Sequence, residues 1–536
     1  MVAIPSAVHP AAPAPRRPRA PHTGDGSLSA FIQRHRHPDP PLAGPGRLRL
    51  EPGTRTSRTY RLHGYWSKKP HEIVSACITA FSRPGDLVLD PFCGSGGTLL
   101  MANVAGRIGI GIDRSPAAAF ISRASLALPD GAAIRHLFAS LLDRIGPQIE
   151  CLYATRCHRC GGPADTGFTV ISDRYRCPKC DQLFLAENAL RDGRRKLCPR
   201  CRHDLPRPRP RDGEQVVEVA GRCRGSCRPA RFRRRHDDPD PPARAALGEF
   251  DLAGIERAVA APIRGWFPTA TFPHGMKTAE LIGRGIASVD QLFTPRNLRS
   301  LATLRSGIDQ YAGADHETLL FILTAGLMSL SLKAQHLEGG GGYLPGMYYV
   351  PPVRKERTPL VSLPRIVGNI ARGADALHEA REGIAEAWAG IGDATDLTEI
   401  PTESVDFAFL DPPYSDKIQF SELNLVWEAW LGFSDNWGDD ELILNRARGK
   451  SSAAWEVKIE RLAAEVRRVL KPGAHTVITY TDSHRGTSEL LLAAFQAAGF
   501  DVVDSSARIE MSHNTYVQRT SRGAEQRHPL LVLKRQ

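Results

Sequence analysis

Two short acidic motifs in this 536-residue chain contain residues that could do chemistry. Asp90-Pro91-Phe92-Cys93-Gly94-Ser95-Gly96 follows the apolar run 87–89, and Asp411-Pro412-Pro413-Tyr414 follows the apolar run 405–410. In an open parallel sheet, ligands bind outside the carboxyl ends of the strands, where both motifs are expected. Glycines let the backbone approach a ligand, and a helix start offers free N–H groups. The first motif therefore predicts a cofactor loop, and Asp113, which ends the next strand, is placed to hold ribose hydroxyls.

The second motif predicts a rigid loop, because two consecutive prolines can continue neither a sheet ladder nor a helix interior. An exocyclic amine on a nucleic-acid base is a poor nucleophile, since its lone pair is delocalised into the ring. A carboxylate and a carbonyl that each accept one N–H would free that lone pair. We assign these two roles to Asp411 and to the carbonyl of Pro412, with positioning and electrostatics supplying most of the rate gain. Tyr414 is expected to stack on a base swung out of the duplex.

The elements around the motifs alternate between strands and helices. Apolar residues at helical spacing predict a helix over 71–81, and Ser115 with Pro116 are favoured residues for a helix start. A strand, helix, strand, helix order predicts a parallel sheet with right-handed crossovers. The other expected elements are strands at 87–90, 108–113, 405–410, 476–480, 502–509 and 530–533, and helices at 98–105, 459–470, 488–498 and one ending near Trp388.

The segment 87–98 resembles the first motif of amino-group DNA methyltransferases, DPFxGSGT, with Gly97 where that pattern has threonine. The segment 63–71 resembles the stretch that precedes this motif in the family and closes over the cofactor. The resemblance implies a Rossmann-like class I S-adenosylmethionine-dependent methyltransferase fold (α/β), interrupted here by a zinc-ribbon and helical insertion. It covers about 64–128 and 392–536.

The same resemblance implies S-adenosyl-L-methionine as the cofactor and suggests a site for each of its parts. Asp90, Gly94 and Gly96 would line the methionine moiety, Asp113 would bind the ribose, and Asp393 would lie beside the adenine ring. The full set of expected cofactor-binding residues is Lys69, Pro70, Asp90, Pro91, Phe92, Gly94, Ser95, Gly96, Thr98, Asp113 and Asp393, and the expected catalytic residues are Asp411, Pro412, Pro413 and Tyr414.

The order of the motifs resembles the arrangement in which a target-recognition region lies between cofactor motif and catalytic motif. Aspartate at position 411 points, by resemblance, to adenine N6 over cytosine N4, where serine is more usual. The expected function is site-specific DNA methylation at adenine N6, with a restriction or defence-system partner left open. Two alternatives remain: an RNA amino-group methyltransferase, since Asp-Pro-Pro-Tyr also serves such enzymes, and a catalytically inactive zinc-ribbon DNA-binding protein.

Eight of the eleven cysteines lie between Cys157 and Cys227. Cys157-x-x-Cys160 and Cys177-x-x-Cys180 have the spacing of a four-cysteine zinc ribbon, and Cys198-x-x-Cys201 with Cys223-x-x-x-Cys227 could form a second site. Four thiolates leave no open position on zinc, so one or two structural Zn²⁺ ions are expected. Which pairs share a metal stays open, as does replacement of a ligand by His158 or His203.

A net charge of +12 suits a polyanionic partner, although arginines in solvated stretches account for it equally well. Phosphate contacts are expected from Arg222, Arg224, Arg228, Arg231 and Arg233 to Arg235. Cysteine pairs that suit a metal indicate a reducing compartment, hence the cytoplasm, and no apolar run is long enough for a membrane span. The expected domains are a disordered 1–47, a first methyltransferase part 48–130, a zinc-binding insertion 131–245, a helical target-recognition region 246–363 and a second methyltransferase part 364–536.

Overall fold

The structure is a computed structural model, and it describes residues 27–157, 159–227, 230–235, 249–260, 262–337, 341–380, 386–413, 418–433, 437–445, 448–480, 486–510 and 527–536. Within these residues the chain divides into two units, and each is described by itself. Unit 1 contains 137–271 and 280–366, and unit 2 contains 27–136, 272–279 and 367–536.

The helices and strands are numbered in chain order. The helices are α1 Leu28–His35, α2 His71–Phe81, α3 Gly97–Val104, α4 Pro116–Leu126, α5 Gly131–Tyr153, α6 Glu249–Ala260, α7 Ala279–Gly283, α8 Pro295–Ile308, α9 Gly313–Leu330, α10 Pro359–Ala380, α11 Phe420–Leu431, α12 Ser452–Val469 and α13 Thr487–Ala497. The strands are β1 Leu87–Asp90, β2 Ile108–Asp113, β3 Ala154–Arg156, β4 Pro163–Arg176, β5 Leu183–Leu185, β6 Leu190–Asp192, β7 Arg195–Leu197, β8 Arg211–Cys223, β9 Arg231–Arg235, β10 Val353–Arg357, β11 Ala387–Ile391, β12 Val405–Leu410, β13 Leu470–Thr479, β14 Phe500–Asp504, β15 Arg508–Glu510 and β16 Arg527–Arg535.

Unit 2 is built on one mixed sheet in the order β11-β2-β1-β12-β13-β16-β14, with β15 paired to β16. The pairs from β11 to β13 are parallel, and β16 is antiparallel to both of its neighbours in this order. β1 lies between β2 and β12, so the loops that leave β1 and β12 emerge side by side at the carboxyl edge. The α/β fold class with a parallel sheet is confirmed.

The core of unit 2 explains why these segments form strands and helices. Every residue of β1 and β12 is buried, as expected for central strands of a sheet covered on both faces. α12 buries Trp455, Ile459, Leu462 and Val466 at helical spacing against this core. Ser115 caps α4 by accepting a hydrogen bond from the N–H of Ala118, as its sequence position predicts.

Two predictions for unit 2 are wrong. Trp388 does not end a helix, because α10 stops at Ala380 and Trp388 lies in β11, paired with Ile110 of β2. Its alanine-rich neighbourhood favours a helix, but burial at the end of the sheet overrides that local preference. Disorder does not extend over 27–47, since α1 buries Leu28, Phe31 and Ile32 in the same core. The prediction for 1–26 lies outside the described residues.

Unit 1 contains a six-stranded antiparallel sheet in the order β10-β4-β8-β9, with β3 and β5 also paired to β4. The sequence pattern predicted cysteine pairs in this region but neither of its two long strands, β4 and β8. Within the expected helical region 246–363 the structure has the helices α6, α7, α8 and α9 and the start of α10, but also the strand β10. Among the described helices, none is both long and apolar enough to cross a membrane.

Candidate functional site

A cavity of about 1070 Å³, the open solvent at its mouth included, lies at the carboxyl edge of the unit 2 sheet. In open parallel sheets this edge, outside the carboxyl ends of the strands, is where ligands bind. The two motifs and the segment before α2 all contribute to its wall. The predicted site residues that line it are Lys69, Asp90, Pro91, Phe92, Gly94, Ser95, Thr98, Asp113, Asp393, Asp411, Pro412 and Pro413.

Three predicted site residues are not part of this wall as the structure describes it. Pro70 is the residue before α2 and Gly96 is the residue before α3. An added Cβ on Gly96 would lie 3.0 Å from the Cα of Ser122. Tyr414, the expected stacking residue, lies outside the described residues.

The loop after β1 has a backbone shape that requires glycine. Gly94 and Gly96 have φ values of 52° and 78°, in the left-handed region that side chains disfavour. An added Cβ on Gly94 would lie 2.8 Å from the ring of Tyr65. The carboxylate of Asp113 accepts hydrogen bonds from the N–H of Gly94 at 2.8 Å and of Ser115 at 2.9 Å. The loop is thereby fixed between an aromatic ring and the end of β2.

Asp90, at the end of β1, is buried, and Asp113, at the end of β2, is half-buried. Burial raises the pKa of Asp90 to about 7, against hydrogen bonds from Thr98 and from the N–H of Phe92. Burial likewise raises the pKa of Asp113 to about 6, against its two backbone hydrogen bonds. Buried carboxylates that face a cavity favour a ligand that brings an ammonium group or hydroxyl donors. S-adenosyl-L-methionine has both, and these residues therefore fit it.

Asp411 begins the loop after β12 and is held by two side chains. The ammonium of Lys69 lies 2.7 Å from each carboxylate oxygen, and the hydroxyl of Thr479 donates to Oδ1 at 2.5 Å. Burial lowers the pKa of Lys69, while the Asp411 charge opposes that shift. Lys69, expected to bind cofactor, thus contacts the residue expected to be catalytic.

An aromatic wall that the motifs did not reveal closes one side of the cavity. The ring of Tyr65 stacks on Phe420 and on Trp427, with centroids 6.0 and 5.8 Å apart. Asn424 accepts from the indole N–H of Trp66 at 2.7 Å and donates to the hydroxyl of Tyr65 at 3.1 Å. The sequence shows aromatic residues at 65–66 and in α11, but only the fold shows that they are in contact.

Comparison with known proteins supports the resemblance of the motif region. Residues 49–123 match a family model described as a DNA methylase of the N6/N4 type. Over this segment the chain is similar to the N6/N4 amino-group DNA methylases. A 52-residue stretch is 50 % identical to the type II methyltransferase M.EcaI of Enterobacter cloacae, which is 10 % of this chain and 12 % of that protein.

Two solved structures are also similar over part of the chain. One is the antibiotic-resistance methyltransferase Kmr, with 14 % identity, a TM-score of 0.17, and coverage of 31 % of this chain and 71 % of that one. The other is the aminoglycoside resistance methyltransferase NpmB1, with 17 % identity, a TM-score of 0.16 and the same coverage. At these TM-scores neither similarity adds to the argument.

Gly97, the departure from the family motif, has a structural explanation. It is the first residue of α3, and an added Cβ would lie 3.3 Å from Nε2 of His71 at the start of α2. His71 is buried, and its Nδ1 lies 2.9 Å from the hydroxyl of Thr59. The histidine ring therefore occupies the space that a larger residue at position 97 would need.

The eight cysteines of unit 1 form two clusters, and this grouping decides the pairing that the sequence left open. The first contains Cys157, Cys160, Cys223 and Cys227, and the second contains Cys177, Cys180, Cys198 and Cys201. The arrangement in which Cys157 and Cys160 share a site with Cys177 and Cys180 is not the one observed. The antiparallel pairing of β4 with β8 explains this nesting, because the outer cysteine pairs lie at one end of the two strands and the inner pairs at the other.

The spacing of the sulfurs suits zinc. The closest Sγ–Sγ distances are 3.6 Å in the first cluster and 3.6 and 3.7 Å in the second. A tetrahedral ion with Zn–S bonds of about 2.3 Å requires sulfurs about 3.8 Å apart. Both clusters could hold zinc with four thiolate ligands. His203 belongs to neither cluster, and His158 lies outside the described residues.

The arginines that we expected to contact phosphates differ in exposure and in ion pairing. Arg234 is 4 % exposed and is paired with Asp251, so it is not available for a phosphate contact. Arg224 is exposed but paired with Glu150 and Asp165. Arg222 and Arg231 are exposed, and Arg228 lies outside the described residues.

Proposed function

We propose that this chain is an S-adenosylmethionine-dependent DNA methyltransferase that modifies the N6 amino group of adenine. The observation that supports this most directly is the joint position of Asp90 and Asp411. They follow neighbouring parallel strands and line one cavity, so a methyl donor over the β1 loop and an amine at the β12 loop would be adjacent. The family match over 49–123 supports the same activity.

Bound S-adenosyl-L-methionine would supply a sulfonium-activated methyl group. Asp90 would face its ammonium group, Asp113 its ribose hydroxyls and Asp393 its adenine ring. Asp411 would accept one N–H of the target amine, and the carbonyl of Pro412 would accept the other. Thr479 orients the carboxylate, and Pro412 with Pro413 limits backbone movement of the loop.

The choice of adenine over cytosine is supported by aspartate at position 411, which in this family favours adenine. Tyr414 would stack on the extruded base. The two cysteine clusters would each hold a structural zinc ion, because four thiolates leave no open ligand position. The likeness to a type II methyltransferase leads us to propose a restriction or defence-system partner as well.

The test is transfer of labelled methyl groups from S-adenosylmethionine to duplex DNA, followed by digestion to nucleosides. We expect N6-methyladenine from the wild type and a loss of at least about a hundredfold from Asp411→Asn, which keeps the shape but removes the charge. The control is Asp501→Asn, an equal change at an exposed position of β14.

Each other outcome overturns part of the proposal. Label on cytosine N4 would overturn the choice of base. Label on RNA but not on DNA would favour the RNA methyltransferase, and cofactor binding without transfer to either polymer would favour an inactive DNA-binding protein. Equal losses in Asp411→Asn and Asp501→Asn would contradict the catalytic role of Asp411.

A further inference from the structure

Glu428 is a buried acidic residue on a helix whose other buried residues are mainly apolar. It belongs to α11, is 4 % exposed, and lies behind the cavity wall in contact with Trp437. Burying a carboxyl group is unfavourable unless the group is hydrogen-bonded, and leucine at this position would avoid that cost. Proteins retain such unfavourable residues chiefly at functional sites, so the contacts of Glu428 indicate its role.

One oxygen of the Glu428 carboxyl group joins two segments that are distant in sequence. The hydroxyl of Ser115 donates to Oε1 at 2.6 Å, and the indole N–H of Trp437 donates to the same oxygen at 2.9 Å. Ser115 caps α4, just after the carboxyl end of β2, and Trp437 begins the short 3₁₀ helix Trp437–Asp439. Glu428 therefore connects the end of β2 to the segment that follows α11.

Both connected segments contribute to the cavity wall. The backbone N–H of Ser115 donates to Oδ1 of Asp113 at 2.9 Å, and Asp113 lines the cavity, as does Trp437. The side-chain amide of Asn424 donates to the hydroxyl of Ser115 at 2.9 Å, which leaves the hydroxyl proton for Glu428. Loss of the Glu428 carboxyl group would therefore release both sides of the wall together.

A second contact joins the same two segments at the surface. Arg114, the residue after Asp113, is paired with Asp440, and both line the cavity. Their side chains are 37 % and 56 % exposed, and exposed ion pairs contribute little to stability. The buried hydrogen bonds of Glu428 are therefore the stronger of the two connections.

We propose that Glu428 is a positioning residue for cofactor binding, which holds Asp113 and Trp437 at the separation that the ligand requires. This inference rests on the proposed function for the identity of the ligand, S-adenosyl-L-methionine. We assign its ribose to Asp113, and Trp437 adds an aromatic surface to the same cavity. Residues that contact a ligand need supporting contacts behind them to stay within about 0.5 Å of the productive geometry.

The protonation state of Glu428 decides which substitution is conservative. Burial raises the pKa of Glu428 to about 8, against hydrogen bonds from Ser115 and Trp437. The neutral form therefore predominates at about pH 7. Glutamine is neutral, has nearly the same shape, and has an oxygen that can accept both hydrogen bonds. Leucine has a similar size but accepts neither, so glutamine should retain the function and leucine should lose it.

The test uses the full chain and combines calorimetric titration of S-adenosylhomocysteine with methyl-transfer kinetics. We expect Glu428→Leu to raise the Kd of this ligand and the KM for S-adenosylmethionine by about tenfold, since two hydrogen bonds are lost. The kcat at saturating cofactor should stay within about threefold of the wild type, because these contacts support ground state and transition state alike. Glu428→Gln should return Kd and KM to near their wild-type values.

The matched control is Glu422→Leu on the same helix. Glu422 is also buried, but its carboxylate accepts hydrogen bonds from the N–H groups of Met276 and Lys277, at 3.2 and 2.6 Å. We expect this variant to lose stability and to bind S-adenosylhomocysteine with wild-type affinity. Equal weakening in Glu428→Leu and Glu422→Leu would show a general effect of altering α11 and would overturn the proposal.

Trp437→Phe tests the same connection with Glu428 in place. It removes the indole N–H and keeps an aromatic ring, and we expect Kd to rise by about threefold, the effect of one hydrogen bond. In a Glu428→Leu background the same substitution should have less effect, because its acceptor is already absent. Additive effects of the two substitutions would contradict the proposed connection.

Failure of this proposal can be separated from failure of the proposed function. Wild-type Kd and KM in Glu428→Leu, in a protein that methylates DNA, would reject the positioning role alone, and so would a fall in kcat with KM unchanged. Weaker binding by Glu428→Leu with recovery in Glu428→Gln, in a protein that methylates no nucleic acid, would reject the methyltransferase alone. A wild type that does not bind S-adenosylhomocysteine would overturn both.

Discussion

The ammonium of Lys69 lies 2.7 Å from both carboxylate oxygens of Asp411. Lys69 is 7 % exposed, and the hydroxyl of Thr479 donates to the same carboxylate. Both oxygens of Asp411, which we propose accepts one N–H of the base amine, therefore have partners within the protein. A carboxylate has about four acceptor positions, so an incoming amine either shares Asp411 with Lys69 or displaces it.

We expect Lys69→Met to lower kcat by about tenfold or more, because the Asp411 carboxylate then loses the cation that holds both of its oxygens in place. Lys69→Arg retains the charge and should keep more of the rate. Methyl-transfer rates at saturating cofactor measure this. A Lys69→Met rate equal to that of the wild type would show that Lys69 does not act through Asp411.

The nested cysteine clusters predict how zinc is lost from variants. The wild type should bind two zinc ions, and Cys157→Ser should bind one. Cys157→Ser/Cys223→Ser should also bind one, because both residues belong to the same cluster. Cys157→Ser/Cys177→Ser should bind none. Metal content measured by mass spectrometry checks this. If the first double variant lost both ions and the second retained one, the sites would instead be formed by consecutive pairs, Cys157 and Cys160 with Cys177 and Cys180, and Cys198 and Cys201 with Cys223 and Cys227.

The contact between Gly97 and His71 predicts a non-additive pair of substitutions. Gly97→Val should destabilise the protein by about 1–3 kcal/mol, because the new side chain meets a buried ring that has little room to move. In a His71→Ala background the cost should be smaller by at least about 0.5 kcal/mol. Thermal or denaturant unfolding measures the cycle.

The control for that cycle is Gly368→Val in α10, where an added Cβ would meet only the far end of the Arg372 side chain, at 3.5 Å. It makes the same residue change within a helix, without a collision against a buried ring. A Gly97→Val cost that is the same in both backgrounds would contradict the explanation for this departure from the family motif.

The sequence predicted the parts of the fold that depend on local patterns. Apolar runs that end in Asp90 and Asp411 identified two central strands, and Ser115 with Pro116 marked the start of α4. The position of β11 could not be predicted, because Trp388 and its alanines are compatible with either a helix or a strand. Its pairing with β2, distant in sequence, decides between them.

The wall of the candidate site was predictable to a similar degree. Both motifs contribute residues to the cavity, because each motif is local in sequence and follows a predicted strand. The aromatic wall was missed, since Tyr65 and Trp427 become neighbours only when the segment before α2 packs on α11. The sequence left the cysteine pairing open for a related reason. Each Cys-x-x-Cys pair is local, but the partner pair is set by the register of β4 and β8.

The raised pKa values of Asp90 and Asp113 predict how cofactor affinity depends on pH. Burial raises the pKa of Asp90 to about 7, so below that pH its neutral form predominates in the ligand-free protein. The ammonium group of the proposed cofactor favours the ionised form. Affinity should therefore rise with pH, by up to about tenfold per unit below pH 7, and then level off.

Asp90→Asn should remove the step near pH 7 and leave a weaker step near pH 6, where Asp113 titrates. Calorimetric titration with S-adenosylhomocysteine between about pH 5.5 and 8 measures both curves, and this ligand carries the same ammonium and ribose groups without the transferable methyl. Identical pH dependence in wild type and Asp90→Asn would show that Asp90 does not face the ammonium group. Binding that weakens as pH rises would contradict the proposal that the ionised form of Asp90 binds the ammonium group.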